Sequence, residues 1–369
     1  MVNQNPPLAI RCPALEAPGK RSVHLQARSP TVIRVGSAAD MLMDFLMLLG
    51  GLALIVKGGD FFVAASIRLA EFLRMPRVVI GSTLVSLATT TPELVVSIMA
   101  GLRGEAGLAV GNAVGSCICN IGLILGVTAA IKHVDVHFRT LRGPLIAMFV
   151  SGVLLLLMTL NLVLARWQGA LLLLAGMGYF AWDFWRHWKN RRPEVVAEAA
   201  AIKTEKAAAR WGWVETKAGT GVQFVFGAAV VIAGSRLLVE GAVGTASQMG
   251  VPPIVIGLTV VAVGTSLPEL VTAVTSSRKA VSDLAVGNVL GANIANLTLI
   301  VGTAAIIQSV GMDRLTQVFN FPAMLAIMGL LGWMLLTDRR LTRREGALLL
   351  TVYAGYLAVL LGLTMIAAR

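Results

Sequence analysis

A chain of 369 residues that is 56% hydrophobic and only 14% charged, with a mean hydropathy of +0.79, falls outside the ordinary soluble classes. Its formal charge of +12 does not imply nucleic-acid binding, because the basic residues stand in short clusters between apolar runs, as they do in the loops of a polytopic membrane protein. The three cysteines are Cys12, Cys117 and Cys119; the last two are too close on one helix to pair with each other, so no disulfide framework is implied.

Residues 1–40 are polar and proline-rich and lack the apolar core of a signal peptide. Met41 and Met43 stand directly before the first apolar run, so this segment reads either as a disordered tail or as a start placed too early. A membrane helix needs roughly 20 apolar residues, which places spans at 42–72, 78–102, 106–131, 142–161 and 166–186, then at 218–248, 253–277, 282–308, 318–337 and 345–367. The chain thus divides into a first repeat (41–186), a polar linker (187–217) and a second repeat (218–369). Five helices per half is an odd number, so the second half enters the membrane from the opposite side. The expectation is an all-α membrane protein with ten transmembrane helices, arranged as two inverted five-helix repeats with broken helices at the core.

The linker is too short for a folded regulatory domain and carries much of the positive charge. Loops after the odd-numbered spans hold 19 basic residues against 4 on the other side, with 1–40 left out. The positive-inside rule then predicts a cytoplasmic central loop and both termini outside, in a bacterial-type inner membrane. The five basic residues of the tail oppose that orientation.

Two blocks of the sequence repeat one another. Residues 81–120 and 257–296 align without a gap at a constant offset of 176, which pairs Pro92 with Pro268, Glu93 with Glu269 and Asn120 with Asn296. A proline inside a helix removes one N–H and clashes with the carbonyl four residues back, which frees the carbonyls of Ala88 and Gly264. In lipid such a break persists only where protein or a water-lined cavity satisfies it. Free carbonyls beside Thr89, Thr90 and Glu93 in one copy, and Thr265, Ser266 and Glu269 in the other, suit a hard cation, since calcium takes about six to eight oxygen ligands. A lone mid-membrane proline reads as a packing kink; two symmetric Pro-Glu pairs read as a site, because an intramembrane carboxylate is costly and rarely idle. The following helix of each copy reads GNxxGxxxxN. Its glycines permit close helix approach, Ser116 and Asn120 share a face, and the amides of Asn120 and Asn296 can offer an oxygen to a cation or a hydrogen bond to a glutamate.

These blocks resemble the alpha repeats of the sodium/calcium exchanger family within the cation/calcium antiporter superfamily. The second copy carries the likeness most closely, in Gly264-Thr265-Ser266-Leu267-Pro268-Glu269 and in Gly287-Asn288 through Asn296. The resemblance implies antiport of Ca2+ against Na+ across the bilayer, with no cofactor and no enzymatic activity. Glu93 and Glu269 would be central ligands, Thr89 and Thr265 would help through carbonyls or hydroxyls, and Ser116, Asn120 and Asn296 would complete sodium sites. Helices 1 and 6, interrupted by Gly58, Gly59 and Gly234, would form a sliding gate. The first copy departs from the pattern: Ala88 stands in place of glycine, Thr90 and Thr91 replace serine and a small or apolar residue, and Cys117 replaces an asparagine kept as Asn293. Ala292 lacks the hydroxyl of Ser116, and Asn296 stands where some relatives carry aspartate. Two carboxylates balance one Ca2+, two Na+ or two protons, which favours a coupling ratio below three to one, or protons as the counter-ion.

The remaining features suggest less. Cys117 and Cys119, with Met99 nearby, raise the prospect of a softer metal such as cadmium or zinc, but residues two apart on a helix point to different faces and small-residue packing is the plainer reading. Lys57 and Asp60, with Arg236 and Glu240, read as snorkelling or paired charges, and His133, His137 and His187 as solvated loop residues. Two broken inverted repeats favour alternating access over an open pore, and no HExxH-type set supports an intramembrane enzyme.

Overall fold

The computed structural model describes residues 38–102, 106–135, 138–189, 216–249, 262–337 and 340–367. The expected tail, nearly all of the linker and the start of the span at 253 lie outside these residues. The helices are α1 (Ala38–Leu73), α2 (Arg77–Thr89), α3 (Thr91–Leu102), α4 (106–131), α5 (Phe138–Met158), α6 (Arg166–Lys189), α7 (Lys217–Gln248), α8 (Ala262–Thr265), α9 (Leu267–Arg278), α10 (Ser282–Ile307), α11 (316–337) and α12 (Arg343–Ala367). Seven of them are long and apolar enough to cross a membrane, and α2 with α3, bent by 44°, add an eighth crossing. The chain is an integral membrane protein.

Burial separates the helices into two classes. The apolar windows of α4 and α10 are 72% and 78% buried within the protein, against 17% for α1 and 22% for α7. Helices that are apolar all round and enclosed by protein form the centre; helices that are apolar but exposed face lipid. Val114, Ile118, Ile121 and Leu125 of α4 meet Val289, Ile294 and Leu297 of α10 in one buried cluster that reaches α5, α11 and α12.

α1 and α7 lie along each other for much of their length, and glycines set their separation. A Cβ at Gly51 would stand 2.6 Å from the Leu238 nitrogen, and one at Gly227 would stand 2.8 Å from the Phe62 nitrogen. Gly58 and Gly234 serve the same close approach. The expectation that glycines interrupt these two helices is therefore corrected: both run unbroken, and absence of a side chain is used for backbone contact. Polar bonds close both ends of the pair, from the Arg68 guanidinium to Gln223 Oε1 and from Gln248 Nε2 to Asp44 Oδ2 at 2.8 Å.

Of the charges singled out near these helices, Asp60 is paired: Lys279 Nζ lies 3.3 Å from its carboxylate. His187 lies in the last turn of α6 instead of a loop, with Nδ1 2.8 Å from the Asp183 carbonyl and 3.4 Å from its carboxylate. His137 lies outside the described residues.

Two short antiparallel pairs join the halves: Val134–Asp135 with Arg340–Leu341, and Val163–Leu164 with Val310–Gly311. Shifting Val134 and Leu164 by 176 gives positions 310 and 340, so each pair is the counterpart of the other.

Candidate functional site

The site is built around two helix breaks at equivalent positions. α2 ends at Thr90, with φ −80° and ψ 3°, and α8 ends at Ser266, with φ −89° and ψ 9°. Each break is followed within two residues by proline, which lacks the N–H that an unbroken helix would require there. The chain restarts as α3 and α9, and Glu93 and Glu269 fall in their first turns. The N-terminal end of a helix gives a carboxylate in its first turn a favourable local field. Thr90 still closes the last turn of α2: its amide and hydroxyl both donate to the Ser86 carbonyl, at 2.9 and 2.8 Å.

The breaks bring residues of the two copies together. Glu93 and Glu269 lie within electrostatic range of each other. Thr89 donates to Asn288 Oδ1 at 3.2 Å, and Asn120 Nδ2 donates to Asn293 Oδ1 at 2.9 Å. Thr89, Thr90, Glu93, Ser116, Asn120, Ser266, Glu269 and Asn296 are all buried, while Ala88 and Thr265 are half-buried. Gly264 lies against the Val239 side chain of α7, and Ala88 packs beside the Val85 cluster. Ala88 and Gly264 therefore each sit between the break and neighbouring helices.

The oxygen atoms of this site are under-satisfied. Glu93 Oε2, both carboxylate oxygens of Glu269, Ser266 Oγ, Asn120 Oδ1 and the Asn296 amide are buried with no hydrogen-bond partner. Among the described residues, neither glutamate forms an ion pair. Two uncompensated carboxylates in a low-dielectric interior are expensive, and positive charge brought to them relieves that cost. Within the described residues no three of His, Cys, Asp and Glu converge into a ready-made metal cluster, so any cation here is surrounded mainly by hydroxyls, amides and backbone oxygens.

Some features were not read from the sequence. Asn120 and Asn296 each begin a π-helical turn, Asn120–Leu125 and Asn296–Ile300, in which one extra residue shifts the hydrogen-bond ladder. Asn293 proves to be a hub: it also accepts from Cys117 Sγ at 3.7 Å through its carbonyl, and its amide contacts Met148 Sδ at 3.4 Å. Its signal in the sequence was the one asparagine that the second copy keeps and the first lacks. The glycines of the GN motif act unequally. Gly287 and Gly291 press on the Val78 and Ser82 carbonyls of α2, whereas no described residue stands within 4 Å of a Cβ at Gly111 or Gly115.

Helices broken at the centre of the bundle, with two buried carboxylates facing across them, define a membrane transporter for cations. The profile of the family described as sodium/calcium exchanger protein matches residues 43–184 and 220–362, and the chain belongs to that family. Among its relatives are the putative antiporter CaxA of Alkalimonas amylolytica, 33% identical over 86% of this chain and 98% of that one, and the sodium/calcium exchanger MaX1 of Methanosarcina acetivorans, 31% identical over the same shares. The inner membrane protein YrbG of Escherichia coli is 34% identical over 79% of this chain and 90% of that one. The structure of the sodium-calcium exchanger NCX_Mj soaked with zero Na+ and Ca2+ superposes with a TM-score of 0.72 at 26% identity, covering 87% of this chain and 99% of that one.

Proposed function

We propose that the protein is a secondary antiporter that exchanges Ca2+ for Na+ by alternating access. The observation that carries the reading is the pair of buried, unpaired carboxylates at equivalent helix breaks. Glu93 and Glu269 are the central ligands, assisted by Thr89, Thr90, Thr265 and Ser266 and by the carbonyls of Ala88 and Gly264. Ser116, Asn120 and Asn296 surround them as neutral oxygen donors for sodium. An empty site carries two uncompensated charges through the occluded state, at a cost of several kcal/mol each. Reorientation is therefore fast only when Ca2+ or the counter-ions are bound, which yields exchange in place of leak.

The architecture that suits this cycle is ten helices in two inverted halves, 41–186 and 218–369, joined by a cytoplasmic linker at 187–217 with both termini outside. Seven single helices and the bent α2–α3 pair support eight of these crossings, and α6 and the span containing α8 and α9 are assigned as the other two. Support for the inverted relation comes from the counterpart strand pairs and from the equivalent breaks at Thr90 and Ser266. The bacterial relative named as an inner membrane protein supports the plasma membrane as its location.

A second reading, proton-coupled exchange of Ca2+ or another divalent cation, is favoured by Asn296, which leaves the site without a third carboxylate. Radiolabelled calcium uptake into proteoliposomes separates the two. Uptake that requires internal Na+ and vanishes in Glu93→Gln and Glu269→Gln supports sodium coupling; uptake driven by a pH gradient in K+ alone selects the proton-coupled reading. Absence of uptake under both conditions rejects calcium as the substrate.

A further inference from the structure

We propose that Ser276 lines the passage by which cations travel between Glu269 and the Lys279 end of α9, along a seam that α1 covers in this structure. This deepens the cation-exchange reading above and rests on it for Glu269 as a ligand.

α9 carries hydroxyls where its counterpart has none. At the offset of 176, Thr272, Thr275, Ser276 and Ser277 correspond to Val96, Met99, Ala100 and Gly101 of α3. Thr272 is satisfied within its own helix, donating to the Pro268 carbonyl at 2.7 Å. Ser276 is not: it is 0% exposed, and its hydroxyl has no hydrogen-bond partner among the described residues. A buried hydroxyl left unpaired calls for an explanation. Close packing alone would be served by alanine, which α3 has at the equivalent position.

Helix geometry puts Ser276 on the face of Glu269. At about 100° and 1.5 Å per residue, it stands roughly 20° from Glu269 around the axis and about 10 Å further along it. One flank of this line meets α1: a Cβ at Gly59 would stand 2.6 Å from Val271 Cγ1 and 3.2 Å from Thr275 Oγ1, and Asp60 Oδ1 lies 3.3 Å from Lys279 Nζ. On the other flank Ala273 enters the buried cluster of α4 and α10. The line from Glu269 to Ser276 thus follows the seam between α1 and the central helices. α3 has no such cover, since Val95, Val96 and Met99 are 41%, 45% and 43% exposed while Thr272 and Thr275 are buried. Displacement of α1 from α9 opens the seam, and Ser276 then offers a hard cation a hydroxyl oxygen between Glu269 and water.

The test uses the full chain in vesicles, with Cys12→Ala, Cys117→Ala and Cys119→Ala, so that Ser276→Cys supplies its one thiol. A membrane-impermeant methanethiosulfonate is added to either face. The expected result is modification from the face that carries Lys279 alone, at least about tenfold faster than at Ala285→Cys in the apolar cluster, because a minor open state exposes the first position and not the second. In the otherwise unaltered chain, Ser276→Ala should slow calcium uptake roughly fivefold, the scale of one hydrogen bond, with thermal stability unchanged or raised. Modification no faster than at Ala285→Cys, modification from the opposite face, or an unaltered uptake rate in Ser276→Ala overturns the proposal, while calcium exchange by the wild type leaves the reading above intact. One-sided modification of a chain whose wild type moves no calcium under any gradient rejects calcium as the substrate and leaves the passage standing.

Discussion

Cys117 Sγ lies 3.7 Å from the carbonyl oxygen of Asn293, and the two residues are 176 positions apart, the same offset that separates the two copies of the motif. Equivalent residues touch each other only where a pseudo-twofold axis passes between them. A contact of this kind is what the proposed pseudo-twofold relation expects, and it falls where α4 meets α10, beside the Asn120–Asn293 bond. One member of the pair is a weak sulfur donor and the other an amide, so the central contact is chemically unequal although its geometry is repeated.

That inequality makes Asn293 a stability determinant. Asn293→Ala removes the acceptor for Asn120 and leaves a buried amide unpaired, a loss of about 1–3 kcal/mol. Cys117→Ala removes only a weak donor and a small apolar volume, and should cost less. Heating the two purified variants and measuring the fraction that stays monodisperse checks the order; equal loss in both would refute it.

The glycines of the repeated motif give a paired test. Gly291→Ala forces a methyl group onto the Ser82 carbonyl and Ser86 hydroxyl of α2, and overpacking of this kind costs about 1–3 kcal/mol. Gly115→Ala meets no described atom within 4 Å and gains up to about 1 kcal/mol of helix propensity. The first variant should lose thermal stability and calcium uptake, whereas the second should keep its thermal stability. A destabilised Gly115→Ala with an intact Gly291→Ala would contradict the packing described here.

The carboxylates themselves should be indispensable and separable from folding. Glu93→Gln and Glu269→Gln keep volume and polarity while removing charge, so both proteins should purify as monodisperse species with uptake reduced by more than about 100-fold, in line with loss of a charged ligand in a dehydrated site. Wild-type rates in either variant would remove that residue from the site.

The backbone breaks were legible in the sequence because proline states its effect on a helix directly, and the constant offset of the two blocks carried Glu93 and Glu269 together. Seven of the expected spans, and an eighth as the bent α2–α3 pair, were legible from apolar length. Glycine is less explicit: in α1 and α7 it signals close approach instead of interruption, and a single sequence does not distinguish the two. The π-helical turns at Asn120 and Asn296 left no pattern to read, since they differ from an α-helix by one residue in the ladder.

The charge of the site sets the last prediction. With two carboxylates and Asn296 neutral, one Ca2+ and two Na+ carry equal charge into the occluded state, so exchange in the wild type should be electroneutral. Asn296→Asp places a third carboxylate where the buried amide now has no hydrogen-bond partner. Three sodium ions can then be compensated against one Ca2+, one net charge moves per cycle, and a potential of 100 mV acts on it with about 2.3 kcal/mol. Calcium uptake under potassium diffusion potentials should therefore be flat with voltage in the wild type and voltage-dependent in Asn296→Asp, with a steeper dependence on Na+ concentration. Voltage-dependent uptake in the wild type would show that a third positive charge enters without its own carboxylate, and the charge-balance argument would fail.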